Sequence, residues 1–272
     1  MRNIKTVLLI LTVLLFNQCH INEIDTGFIF EDFNEIEYDE ESVFCQSKPD
    51  NEIGKKTFER DAKGNITCET YFENDHPYRK IIRTFNNGRQ INDSVFYFSE
   101  GFWTLENSRT YKYEHSDIVE IQLLKQDGTV SHKTVYKYKN GKPLWEEFWY
   151  FDKEKWKFQY AHRFEFNRSG KLTKKESFQT EQKNEVYDTI IYTYKNGKPE
   201  TEKRIIRTGA TSWIKEFTYT SDRLPDETIQ DGNVIEKNFY QNSRLTEKHT
   251  FYFGIDPGFS RCNGNLIYRY KY

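Results

Sequence analysis

The octamer Tyr136-Lys-Tyr138-Lys-Asn140-Gly141-Lys142-Pro143 returns as Tyr192-Thr-Tyr194-Lys-Asn196-Gly197-Lys198-Pro199, with seven of eight positions identical. A chain that repeats a short unit is built by stacking neighbours, because one unit cannot bury its own apolar face. The unit is legible in itself. Two rings spaced two residues apart share one face of a strand, and Asn-Gly supplies the two positive-φ residues of a type I′ hairpin turn.

Alternation of period two extends over the chain beyond about Lys55. In Phe158-Gln-Tyr160-Ala-His162-Arg-Phe164-Glu-Phe166 the even positions are rings, apart from His162, and the odd ones are polar or small. This is a strand with one buried and one wet face. Tyr111/Tyr113, Phe217/Tyr219 and Tyr268/Tyr270/Tyr272 repeat the pattern. Turn anchors recur at Gly64, Gly88, Gly141, Gly170, Gly197, Asp222, Ser243 and Gly264, with Ser116-Asp117 filling the one double-length gap. Second turns are marked by Asp127-Gly128, Gly209 and Asp231-Gly232. A unit of about 21 to 29 residues then holds two strands, and roughly 16 to 18 strands result. Laid side by side they would span about 80 Å, and twist forbids a flat sheet of that width. It must coil, fold on itself or close. The expectation is an all-β fold, an antiparallel meander of about nine repeated β-hairpins forming a coiled or solenoid-like single sheet.

Composition agrees with a fold that packs by rings. Aromatic residues make up 17% of the chain, with a single Met, and rings suit a half-buried pleated face. The formal net charge of -2 leaves no strong field to select nucleic acid.

The N-terminus adds an address. Arg2 and Lys5 precede an apolar run from Val7 to Phe16, the pattern of a secretory signal peptide and too short to span a bilayer as a helix. The run ends at Leu15-Phe16-Asn17-Gln18-Cys19, which resembles the lipobox of bacterial lipoproteins, the Bacteroidetes type in particular. The resemblance implies acylation of Cys19 and an outer-membrane anchor facing the periplasm or the cell surface. Nine acids and no Lys or Arg lie between Ile21 and Ser47. Like charges extend such a segment. The reading is a signal peptide over 1–18, an acidic tether over 19–53 and a β-hairpin repeat domain over 54–272.

The Tyr-x-Tyr-x-Asn-Gly-Lys pattern resembles the YD/RHS-type and MORN-variant repeats of bacterial surface proteins, including antitoxin-like repeat lipoproteins of Bacteroidetes. That resemblance covers roughly residues 54 to 272 and implies a hairpin array with aromatic rungs.

No catalytic motif stands out, so no catalytic residue is assigned. The six histidines are isolated, His162 reads as a packed residue in register with the aromatic face, and no metal site or cofactor is expected. Glu146 and Glu147 are neighbours on a strand and point to opposite faces. Cys45, Cys68 and Cys262 allow at most one intramolecular disulfide. Asp93-Ser94-Val95 and Asp188-Thr189-Ile190 resemble Bacteroidetes O-glycosylation triplets. Candidate binding residues are Trp145, Trp149, Trp103, Trp156 and Trp213, because exposed rings offer a platform for glycans or peptides. The function expected is a non-enzymatic, lipid-anchored envelope scaffold whose partner is the membrane and either a glycan or an envelope protein. An outer-membrane β-barrel and a glycan-binding or carbohydrate-active protein are the alternatives.

Overall fold

The computed structural model describes residues 39–45, 48–219, 225–241, 244–251 and 265–271. The segment read as a signal peptide, Cys19, the residues up to 38 and the Cys262 region lie outside the described residues. Eighteen strands follow one another: β1 (Glu40–Cys45), β2 (Lys48–Arg60), β3 (Ile66–Glu73), β4 (His76–Asn86), β5 (Arg89–Ser99) and β6 (Phe102–Glu114). Next come β7 (Asp117–Lys125), β8 (Val130–Lys139), β9 (Lys142–Asp152), β10 (Lys155–Phe166), β11 (Leu172–Phe178) and β12 (Asp188–Lys195). The last six are β13 (Lys198–Ile206), β14 (Thr211–Thr218), β15 (Glu227–Gln230), β16 (Asn233–Gln241), β17 (Arg244–Phe251) and β18 (Asn265–Lys271).

Each strand pairs antiparallel with the next, and β1 pairs with β18 over six positions from Glu40↔Lys271 to Cys45↔Leu266. The sheet therefore closes into a barrel. This corrects the coiled or solenoid-like arrangement: a twisted meander with two exposed edges satisfies both by joining them. The closing strand comes from the segment read as tether, since residues 40–45 form β1 and residues 48–53 the first half of β2. Their acids are answered across the ladder, Glu40 by Lys55 and Glu41 by Lys56, both at 3.4 Å.

The Asn-Gly turns are as the sequence predicts, with φ of 51° and 76° at Asn87-Gly88, 54° and 71° at Asn140-Gly141, and 51° and 83° at Asn196-Gly197. They line one rim, together with the start of β1 and the end of β18. The opposite rim turns at Asn74-Asp75, Glu100-Gly101 and Lys153-Glu154, again with positive φ at both positions. Two of these three lack glycine, so the Asn-Gly signal does not mark them.

The repeated Tyr-x-Tyr has a structural reason. Nearly every hairpin carries a register shift near its own turn, at the Asn-Gly rim between Lys112/Tyr113 and between Lys137/Tyr138, and at the opposite rim between Tyr71/Phe72 and between Val95/Phe96. The β5–β6 ladder stops at Asn92↔Thr110, β7–β8 at Glu120↔Val135 and β11–β12 at Lys174↔Ile191. Beyond each stop, a tyrosine three residues on donates its hydroxyl to a backbone carbonyl two residues back. These bonds are Tyr113 to Gln90 at 2.8 Å, Tyr138 to Ile118 at 2.9 Å and Tyr194 to Leu172 at 2.8 Å. The second ring of the motif thus caps a carbonyl that the ladder leaves behind. Pro143 and Pro199 sit opposite Tyr138 and Tyr194, one pair beyond the turn-closing pairs, where the missing N–H breaks no bond within that hairpin.

Register divides the side chains into two faces. Val95, Ile121, Phe164, Ile190 and Leu266 share one face with Glu69, Asp93, Glu146, Lys175 and Asp188, and all ten are buried. Crowding of this kind marks the concave, inner wall. The outer wall is looser, with Ile82, Phe151, Ile191 and Phe239 exposed. Eighteen strands tilted by about 40° make a ring of about 110 Å circumference, wider than inward side chains fill.

Each tyrosine cap is expected to contribute about 1 kcal/mol. Tyr113→Phe, Tyr138→Phe and Tyr194→Phe lie in different hairpins, so the triple variant should lose about 3 kcal/mol in urea unfolding, additively. A triple variant as stable as the parent would show that the hydroxyls are satisfied equally well by water.

Candidate functional site

The inner wall carries a recurring acid–base pair. Glu69 accepts from Arg83 at 2.6 Å, Asp93 from Arg109 at 2.8 Å and Asp188 from Arg204 at 2.6 Å. Tyrosines support the acids: Tyr71 donates to Glu69 at 2.8 Å and Tyr111 to Asp93 at 2.6 Å. Asp93 is fully buried, and such a carboxylate is stable only because it is paired and hydrogen-bonded. The triplets Asp93-Ser94-Val95 and Asp188-Thr189-Ile190 therefore place their aspartates in inner-wall ion pairs, which accounts for those residues without invoking modification.

Glu146 on β9 occupies the same position in the pattern, but its cross-strand partner on β10 is His162. Tyr136 faces Glu146 from β8, Lys175 approaches from β11, and Tyr160, Phe148 and Phe164 surround the imidazole. Burial pushes the Glu146 carboxyl up to about 7, against the opposing pulls of the Lys175 ammonium and the Tyr136 hydroxyl. Burial first, and Lys175 second, hold His162 well below the ordinary imidazole range. Near neutral pH His162 is neutral and Glu146 is about half protonated, where their three counterparts are ionic. His162 is packed as the sequence predicts, and Glu146 and Glu147 do face opposite sides.

The outer wall collects most of the candidate tryptophans. Trp145 and Trp149 on β9 and Trp156 on β10 share it with Phe151 and Phe158; Trp149 and Trp156 each meet a ring across the ladder, and Trp145 meets Phe178 on β11. Trp149 lies 5.4 Å from Phe158, and Phe151 lies 5.1 Å from Trp156. Lys183, from the segment between β11 and β12, crosses this wall and reaches Glu147 at 3.2 Å and the Trp145 ring at 5.4 Å. Trp103 on β6 belongs to the same outer wall, 5.1 Å from Phe98. Trp213 does not. It is buried on the inner wall opposite Arg204, with the Lys215 ammonium 4.7 Å from its ring. Alternation puts Trp213 on the same face as Phe217, but with Lys215 between them and Ile214 on the other side neither face of β14 reads as apolar.

Among the described residues no group of three His, Cys, Asp or Glu side chains is placed to hold a metal ion. Cys68 is a free thiol on the outer wall, its pKa raised by burial. No described helix is long and apolar enough to cross a membrane, which says nothing of strands.

No family model and no curated protein matches this chain. Among solved structures, a porin-like protein from Bacteroides uniformis ATCC 8492 aligns at a TM-score of 0.46 and 11% identity, over 86% of this chain and 96% of that one. A porin-like protein from Bacteroides vulgatus ATCC 8482 aligns at 0.33 and 11%, over 86% and 98%. A DUF3836 family protein from the same strain aligns at 0.24 and 14%, over 37% and 97%. At these scores the reading of the chain rests on its own residues.

Because folded Glu146 holds its proton more tightly than the unfolded side chain, its contribution is largest below about pH 4.5 and is lost as pH rises through about 7. At 1.36 kcal/mol per pKa unit the loss is about 3 kcal/mol at most. Glu146→Gln should therefore raise the urea midpoint at pH 8 and leave it nearly unchanged at pH 5. Equal effects at both values would show that the carboxyl is ionised throughout.

Proposed function

We propose that the protein is a non-enzymatic binding scaffold of the bacterial envelope, a barrel with water on both sides of its wall, tethered by an acylated Cys19. The observation that carries this reading is charge at mid-height on both faces. Lys80, Glu147, Arg163, Lys203, Lys237 and Glu247 lie outward near the middle of their strands. Glu69, Asp93, Arg109, Glu146, Lys175 and Asp188 lie inward. A lipid-facing wall needs an apolar band about 25 Å tall, and each Lys or Arg at its midplane costs about 2–4 kcal/mol. Several outer charges are ion-paired, as Arg163 with Glu176, Lys137 with Glu147 and Arg269 with Glu247, which suits a wet surface. Neither wall offers the band.

A membrane-spanning barrel is the second reading. Closure of eighteen strands favours it, as does the return of both strand termini to the rim of the tight Asn-Gly turns.

The full chain and a Cys19→Ser variant, expressed in a diderm host, separate the two. The wild type should gain a diacylglyceryl mass and sediment with membranes. Cys19→Ser should be recovered in buffer without detergent, with the circular dichroism of a β-sheet. A variant that folds only in detergent and migrates heat-dependently in gels would establish the spanning barrel instead.

A further inference from the structure

Residues 80–113 align without a gap on residues 133–166, a shift of 53, and the alignment carries a surface constellation with it. Lys80 lies 4.5 Å from the Trp103 ring and 5.3 Å from Phe96. Its image Lys133 lies 4.3 Å from Trp156 and 5.9 Å from Trp149. Phe98 meets Trp103 at 5.1 Å and 57°, and Phe151 meets Trp156 at 5.1 Å and 57°. Both constellations sit on the outer wall beside two-residue turns of the rim away from the chain termini, four strands or about 20 Å apart. Phe98 and Phe151 are 37% and 44% exposed, and neither lysine forms an ion pair with a described carboxylate. Rings left exposed twice in the same geometry, each beside an unneutralised ammonium, are not explained by packing.

We propose that Lys80/Phe98/Trp103 and Lys133/Phe151/Trp156 are two equivalent binding sites for an acidic polysaccharide. An ammonium flanked by ring faces matches a sugar carboxylate carried on an apolar pyranose face. A small ligand needs a concavity that encloses most of its surface, and these sites are open wall. An extended peptide would bind by adding a strand, and a closed barrel has no free edge to extend. What remains is a polymer that lies across a surface and repeats its chemistry, as the two sites do. The proposal rests on the water-facing wall argued above. A tether leaving from β1 would hold the Asn-Gly rim toward the membrane and turn both sites outward.

The test is calorimetric titration of the Cys19→Ser full chain with polygalacturonate, followed also by tryptophan fluorescence, with dextran and polyglutamate as neutral and acidic-peptide controls. Binding to polygalacturonate alone is expected, with either Lys80→Gln or Lys133→Gln lowering apparent affinity about tenfold or more as bivalency is lost. The double variant should abolish binding, and Lys→Arg at both positions should restore it. Unchanged thermal unfolding would confirm that the variants are folded. Equal binding to polyglutamate, or polygalacturonate binding that survives the double substitution, would overturn the sites. A chain that is folded in buffer yet binds no polygalacturonate would overturn the sites and leave the water-facing barrel standing. A chain that folds only in detergent would overturn both.

Discussion

The ladder between β1 and β18 is the interaction on which the rest of the barrel depends. Without it the meander would present two unpaired edges, each a template for association with another chain. It joins residues more than two hundred apart, whereas every other ladder links neighbours in sequence. Closing so long a loop costs about 5 kcal/mol of chain entropy. The ladder offsets this with backbone bonds and with the small cluster of Val43 and Leu266, packed against Ile53 and Tyr268. The barrel has no other apolar cluster of that kind among its described residues, so closure coincides with its one local core.

Elsewhere, stability is distributed. Charged and hydrogen-bonded groups occupy the inner wall at the heights where a globular domain would place leucine, and each is answered by a neighbour one strand away. This arrangement extends by duplication: the 53-residue shift copies strand, turn, acid and base together. It also tolerates local change. At the position where Asp93 meets Arg109, the copy places Glu146 against His162, and the permanent cation is exchanged for a group that stays neutral when buried. The same wall then holds ionic pairs and one pair whose base is neutral and whose acid titrates near 7, in equivalent places.

Much of this was readable in the residues. Asn-Gly turns specify hairpins through local dihedral preferences and survive intact, whereas ring alternation is interrupted by the bulges: in β10 the shift between Phe158 and Tyr160 puts Phe158 on the outer wall and Tyr160 on the inner. Closure was not readable, since pairing of first and last strands is a property of the whole sheet. The acids of Glu40-Glu41-Ser42-Val43-Phe44 also mask a strand as a tether until Lys55 and Lys56 are seen beside them. Four of the five candidate tryptophans lie on the outer wall, because their neighbours set the alternation there. Trp213 lies inside, opposite Arg204 in the ladder and with the Lys215 ammonium over its ring. The lysines that complete the outer sites carry no signal in a chain with many lysines. Only their recurrence at 53 residues distinguishes Lys80 and Lys133, and that needs the register to be known.

On the reading proposed above, a wall with water on both sides separates two demands that a packed domain must meet together. Inner residues are constrained by pairing with the strand on either side, so Asp93 cannot change without Arg109 and Tyr111. Outer residues near the rim away from the termini meet fewer such constraints. Phe98 and Phe151 meet Trp103 and Trp156 across the ladder, and their lysines reach over the same tryptophans from two strands away. Selection on recognition can therefore act on that rim without disturbing the ladders, while duplication of the hairpins multiplies whatever site it carries. A repeated site, at low individual affinity, becomes useful when the ligand repeats as well, because the second contact forms at the high effective concentration set by the first.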